Sequence, residues 1–218
     1  MRLAGLIAGA AATALLATGA ITYAVAEDGA GAHGGRDGST GPAGRTPAAE
    51  SADAGFARDM AVHHQQAVEL SYIVRDRTTD AEVRRLAYDI AQTQANQRGM
   101  LLGWLDLWGL PKVSARGPMA WMGMGGTPAG KDGALMPGMA TDAEIKRLGE
   151  LNGRQAEVFY LRLMTAHHKG GIHMAEACAA RCTVGVEKRL AQGMVDAQQS
   201  EIRLMADMLR ERGAAPRA

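Results

Sequence analysis

The chain has 218 residues, 47% of them hydrophobic, enough to bury one sizeable core or a duplicated smaller one. Its 24 basic and 23 acidic residues nearly cancel, so no excess of charge directs it to nucleic acid or to an acidic partner. Aromatic residues make up 4%, and no basic run is interleaved with them as a single-strand nucleic-acid surface requires.

In chain order, the first segment sets the compartment. After Arg2, residues 3–26 carry no charge and end in Ala24-Val25-Ala26 before Glu27. The small-x-small ending fits a secretory signal, while the length of the apolar stretch fits a transmembrane helix serving as membrane anchor. Either reading places the rest of the chain outside the cytoplasm, and gives it contact with the membrane only through this segment. Residues 27–50 are Gly, Ala, Pro, Ser and Thr with scattered charges, which bury too little apolar surface to order themselves and read as a flexible linker. His33 lies in this linker, where a solvated histidine is the default.

From residue 51 onward helix formers dominate and β-branched alternation is almost absent, so the domain is all-α. The periodicity predicts helices at about 52–76, 80–108, 155–180 and 185–212, with a short one over 142–150. Thr79-x-x-Glu82 and Thr141-x-x-Glu144 are capping-box patterns, and Gly109-Leu110-Pro111 is a stop signal. The domain 51–218 then divides into a hairpin 51–110, a Met-rich loop 111–140 and a second hairpin 141–214.

The two hairpins match each other. Residues 56–109 align without a gap on 160–213, placing Met60-Ala-Val-His63-His64 on Met164-Thr-Ala-His167-His168. Gln94 falls on Gln198, Gln97 on Glu201, and Gly109 on Gly213. Apolar stripes alone slide into phase easily, but paired histidines and a Gln-x-x-Gln/Glu in the same register do not. The pattern predicts an internal duplication and a four-helix bundle built from two helical hairpins.

The histidines fall on core-facing stripes. His63 lies within the stripe Phe56, Met60, Ala67, Leu70 and Val74, with His64 on its shoulder; His167 and His168 repeat this beside Met164 and Met174. Gln94, Gln97, Gln198 and Glu201 enter the stripes of the second and fourth long helices. A lone buried histidine is ordinarily a hydrogen-bonded core residue. Two adjacent pairs, each a turn after a methionine and facing Gln or Glu, point instead to metal. Imidazole with thioether suits Cu(I), whereas iron or manganese sites of di-iron bundles need several carboxylates, and only Glu201 is available here.

The loop adds thioethers. Met119, Met122, Met124, Met136 and Met139 occupy a Gly/Pro-rich segment without helical periodicity, either as ligands for Cu(I) or Ag(I) or as packing over the bundle. Cys178 and Cys182 close the third long helix; outside the cytoplasm they read as a disulfide, with thiolate ligation of copper after reduction as the alternative. Glu69 and His173 lie off the stripes, where exposure is the default.

The segments "FARDMAVHHQQAVELS", "LAYDIAQTQANQRGMLLGWLDLWG", "LRLMTAHHKGGIHMAEA" and "LAQGMVDAQQSEIRLMADML" resemble the domain-of-unknown-function family three hundred and five. The resemblance runs from about residue 51 to the C-terminus and implies a ferritin-like fold in an extracytoplasmic protein with copper- or silver-associated relatives and no established enzymatic activity. By position it implies Met60, His63, His64, Met164, His167 and His168 as the motif residues. The usual Gln-x-x-Glu stands here as Gln198 and Glu201, but as Gln94 and Gln97 in the first half, so the halves are unequal.

The expectation is therefore a soft-metal protein binding Cu(I) or Ag(I) for buffering, transfer or tolerance, with a copper transporter or acceptor protein as its further partner. A ferritin-like metal-dependent oxidase and a metal-free helical interaction module are the competing readings.

Overall fold

The computed structural model describes residues 46–124 and 132–215. The signal-or-anchor segment 3–26 and the linker through residue 45, with His33, lie outside the described residues. Residues 46–50 already pack on the bundle. Pro47 is buried, and the Ala49 carbonyl accepts a hydrogen bond of 2.6 Å from the Arg58 guanidinium. Residues 46–50, which composition assigns to the linker, thus belong with the packed domain.

The described residues form five α-helices: α1 Ala52–Arg75, α2 Ala81–Leu107, α3 Asp142–Glu150, α4 Gly153–Arg181 and α5 Gly185–Glu211. A single 3₁₀ turn, Ala120–Met122, interrupts the connection between α2 and α3. The described residues contain no strand, and none of their helices is long and apolar enough to cross a membrane.

Local chemistry sets the helix ends. Ser51 caps α1, its hydroxyl accepting from the Ala54 amide. Thr141 and Glu144 form the expected reciprocal capping box on α3. The expected box at Thr79-x-x-Glu82 does not form. Asp80 caps α2 instead, one carboxylate oxygen accepting from Glu82 N at 3.1 Å and Val83 N at 2.9 Å. An anionic cap one residue further on complements the positive end of the helix dipole and supersedes the neutral hydroxyl. At the other ends, Gly109 and Gly213 adopt φ of 65° and 60°. In each case the following amide bonds back five residues, Leu110 to Leu105 and Ala214 to Leu209, which is the Schellman arrangement that glycine permits.

α1 pairs with α2, α4 pairs with α5, and α1 and α4 join the two hairpins. Two apolar clusters reveal the directions. Residues 54–61 of α1 share one with Met174, Ala175 and Cys178 of α4, and Ala67, Leu70 and Val74 share the other with 156–164. The two helices therefore run antiparallel and cross between the clusters.

The loop from α2 to α3 is fastened along α1. Asp59 accepts from Met119 N at 2.8 Å and from the Trp121 indole at 2.9 Å. Further along, the Gln66 amide makes a double hydrogen bond with the buried main chain of Ala140 at 2.9 and 2.7 Å. These contacts hold the described parts of the loop against the bundle.

Candidate metal centre

Between the apolar clusters, each of the four long helices interrupts its stripe with polar residues at one level. α1 contributes His63 and His64, α2 Gln94, α4 His167 and His168, and α5 Gln198 and Glu201. All four histidines are fully buried, and Gln94 and Gln198 nearly so. His64, placed on a shoulder by periodicity, is as inaccessible as His63 because α2 covers that flank.

The rings lie together. His63 and His167 face one another with ring centroids 3.8 Å apart at the helix crossing, and His168 follows at 6.4 Å from His167. Neighbouring rings disfavour charge on His63, His64 and His167. Burial first, then His168, holds His63 down to about 3. Burial first, then His63, does the same to His64, also to about 3. Burial first, then the other three rings, holds His167 well below its usual range. These three imidazoles are neutral at physiological pH, the form in which a ring nitrogen offers a lone pair to a metal.

Two hydrogen bonds define which lone pairs remain. His167 Nε2 lies 3.0 Å from the His63 carbonyl and His168 Nε2 lies 2.6 Å from Glu201 Oε2. A carbonyl and a carboxylate only accept, so Nε2 carries a proton in both rings, and in the neutral His167 Nδ1 keeps its lone pair. Both Nδ1 atoms are buried without a hydrogen-bond partner. This is the arrangement in which a metal-ligating histidine donates its other N–H to an oxygen that fixes the tautomer and orientation.

Neither nitrogen of His63 or His64 has a hydrogen-bond partner either. The Pro137 carbonyl approaches His63, and Gln94 and Gln97 approach His64, without reaching hydrogen-bond geometry. Gln94 has both amide atoms unpaired and Gln198 its oxygen. Buried groups of this kind cost about 1–3 kcal/mol each, so a cluster of them is a strong departure from ordinary packing. The donor set fits a cation that takes neutral nitrogen ligands.

The methionines divide around this layer. Met60 and Met164, one turn before each pair, are fully buried on opposite sides of it. In the loop, Met119 and Met136 are buried, while Met122, Met124 and Met139 pack half-buried against the cluster containing Met60. Glu201 keeps 25% of its side chain exposed and is the acidic member of the layer. Glu69 and His173 are exposed, as expected.

Sequence reasoning missed the part played by glycine. A Cβ at Gly170 would overlap the Pro137 carbonyl, and one at Gly171 would come within 2.6 Å of Gln198 Oε1. Gly170 thus lets the Met-rich loop lie directly on α4 beside the histidines, and Gly171 lets Gln198 reach the layer. The signal was visible as a Gly-Gly pair inside a helix, where glycine is otherwise unfavourable.

Fold and site together define an all-α, ferritin-like helical bundle with a buried histidine layer. The chain belongs to the family described as Domain of unknown function (DUF305), whose model matches residues 53–209. It is 73% identical to a DUF305 protein from Streptomyces coelicolor described as secreted, over 78% of this chain and 99% of that one, with a TM-score of 0.73. A DUF305 fragment from Deinococcus radiodurans is 31% identical over 73% of this chain and 96% of its own, with a TM-score of 0.60. The fold is also similar to that of CopM, solved in Cu(I)-, Cu(II)- and Ag-bound forms. For the Cu(I) form the identity is 17%, the coverage 73% of this chain and 96% of that one, and the TM-score 0.56. No curated protein matches the chain at a significant level.

Proposed function

We propose that this protein binds a soft cation, Cu(I) or Ag(I), outside the cytoplasm, and buffers it or passes it to an acceptor. The observation that carries the reading is the buried layer of four histidines whose free nitrogens have no partner within the protein. Imidazole nitrogen flanked by thioether sulfur favours Cu(I) over harder ions. A single carboxylate, Glu201, is too few for the carboxylate-rich ligation of a di-iron oxidase. Likeness of fold to CopM, a protein solved with copper and silver, adds support.

In this reading His63, His64, His167 and His168 supply nitrogen, while Met60 and Met164 are softer neighbours. Glu201 orients His168 and offers an approach from solvent. Met119, Met122, Met124, Met136 and Met139 form a sulfur-rich cover that delivers the ion, and a copper transporter or acceptor protein receives it. The uncharged stretch 3–26, a disulfide, and a secreted relative support a location outside the cytoplasm, secreted or anchored through that stretch.

Anaerobic Cu(I) titration against a competing chelator tests the proposal. The wild type is expected to compete, and a variant with all four histidines changed to Ala to lose binding by more than about 100-fold. Equal, weak binding by both proteins rejects the histidine site. Binding that survives in that variant, and disappears only when the loop methionines become Leu, moves the site to the loop.

A further inference from the structure

A second group of ligating side chains lies at the far end of α4. Cys178 and Cys182 form a disulfide with Cα atoms 4.8 Å apart, and the chain leaves helical geometry at Cys182, the C-cap. Glu187, in the first turn of α5, brings a carboxylate oxygen to within 4.8 Å of both sulfurs. All three residues are buried, Glu187 completely.

Glu187 has no evident structural duty. Neither of its oxygens has a hydrogen-bond partner. Its acidic neighbour Asp53 accepts from Thr183 N and Val184 N at 2.7 and 2.8 Å and from the Thr183 hydroxyl at 3.2 Å, and approaches Glu187 without reaching hydrogen-bond geometry. Burial first, and Asp53 second, push Glu187 up to about 9, so its carboxyl carries a proton at neutral pH. A buried carboxyl whose oxygens make no hydrogen bond, within 4.8 Å of a pair of sulfurs, needs a reason.

We propose that Cys178, Cys182 and Glu187 become, when the disulfide is reduced, a three-ligand site for a thiophilic divalent cation of the Zn(II) class. Two thiolates and one carboxylate are an ordinary ligand set for this ion, with bonds of about 2.3 Å to sulfur and about 2.0–2.2 Å to oxygen. Such ligand atoms stand roughly 3–4 Å apart around a tetrahedral centre, so once reduced the two sulfurs separate by about 1.7 Å from bonding distance while the carboxylate oxygen closes by about 1 Å.

Reduction by an external thiol balances with a proton from solvent. Cys182 is the member nearer solvent, at 3% exposure against 0% for Cys178, so an external thiolate attacks its sulfur. The S–S bond breaks, and Cys178 leaves with the electron pair and takes a proton from solvent. A second external thiolate attacks the external sulfur of the mixed disulfide, releasing Cys182 as a thiolate and an oxidised external disulfide. The cation then displaces the Cys178 and Glu187 protons to solvent and bridges both sulfurs and the carboxylate.

The test uses Co(II) as a spectroscopic substitute for Zn(II). Full-length protein is reduced with dithiothreitol and freed of reductant by anaerobic gel filtration. Reduced wild type is expected to bind one Co(II) with a thiolate-to-cobalt charge-transfer band, which imidazole ligation does not give, and to release it to Zn(II). Oxidised protein and a Cys178→Ser variant should show no band. Glu187→Gln, isosteric with the protonated acid and checked for helicity, should bind about tenfold more weakly or worse. An unreducible disulfide in the folded protein, no band in reduced wild type, or a band indifferent to Glu187→Gln would each overturn the site. The copper-binding histidine layer stands or falls separately, because its titration is done on oxidised protein.

Discussion

Two of the places where the bundle buries polar side chains treat them oppositely. At the end formed by the α2 start and the α5 finish, Arg212 bonds Glu157 at 2.7 Å, Asp80 at 2.9 Å and the Met208 carbonyl at 3.0 Å. The second Glu157 oxygen accepts from Thr78 at 2.6 Å, and Asp80 also caps α2. In the histidine layer, six imidazole nitrogens and three amide atoms of Gln94 and Gln198 have no partner. The satisfied network serves the fold. The unsatisfied one is the layer proposed to hold a cation, since native packing otherwise pairs its buried polar groups.

The sharpest way to separate the two regions is acid. The folded protein keeps His63 and His64 neutral down to about pH 3, against an ordinary value of 6.5, and His167 shifts the same way. Below pH 6.5 the unfolded chain takes up protons that the folded one refuses. The stability from these neutral rings is therefore complete above 6.5 and is lost as pH falls towards 3. Each such histidine contributes a slope of about 1.4 kcal/mol per pH unit in that window. Urea unfolding from pH 7 to 4 measures it; a flat profile would mean that the layer is not neutral.

Next in size is the structural network. Arg212→Met strands Glu157 and Asp80, and is expected to cost about 3 kcal/mol in urea unfolding while leaving metal affinity unchanged. A change in Cu(I) affinity would join the two regions. Glu201→Gln should act the other way, weakening Cu(I) binding about 10–100-fold with little change in the unfolding midpoint, because the carboxylate orients His168. The smallest effect belongs to Gln94→Leu. Removing two unpaired amide atoms should leave apo stability within about 1 kcal/mol, neutral or higher, where the same replacement at a paired site would be costly. A large loss on Gln94→Leu would show that Gln94 is structurally engaged after all.

Much of this was legible from residue spacing. Helix positions follow the apolar periodicity, and the Gly109 stop is where the glycine lies. The register of the two histidine pairs places His63 and His167 in matching positions on their helices. What spacing left out was decided by neighbours distant in sequence. His64 is buried by α2. Asp80 outcompetes Thr79 as cap and then joins Arg212, 132 positions later in numbering by the difference of the two residue numbers. The Met-rich loop lies down because Asp59, Gln66 and Gly170 hold and admit it. None of these partners carries a local signature.

The sequence by itself determined that this is a helical protein with a histidine pair on the core face of each half, since periodicity and residue type are local properties. Only the tertiary structure decided that the pairs meet at one crossing, that Nδ1 of His167 and His168 is left free, and that Glu187 reaches the disulfide. Each of those depends on which atoms lie opposite one another across helices. Hydrogen bonding and desolvation respond to that arrangement, and the spacing of residues along the chain does not encode it.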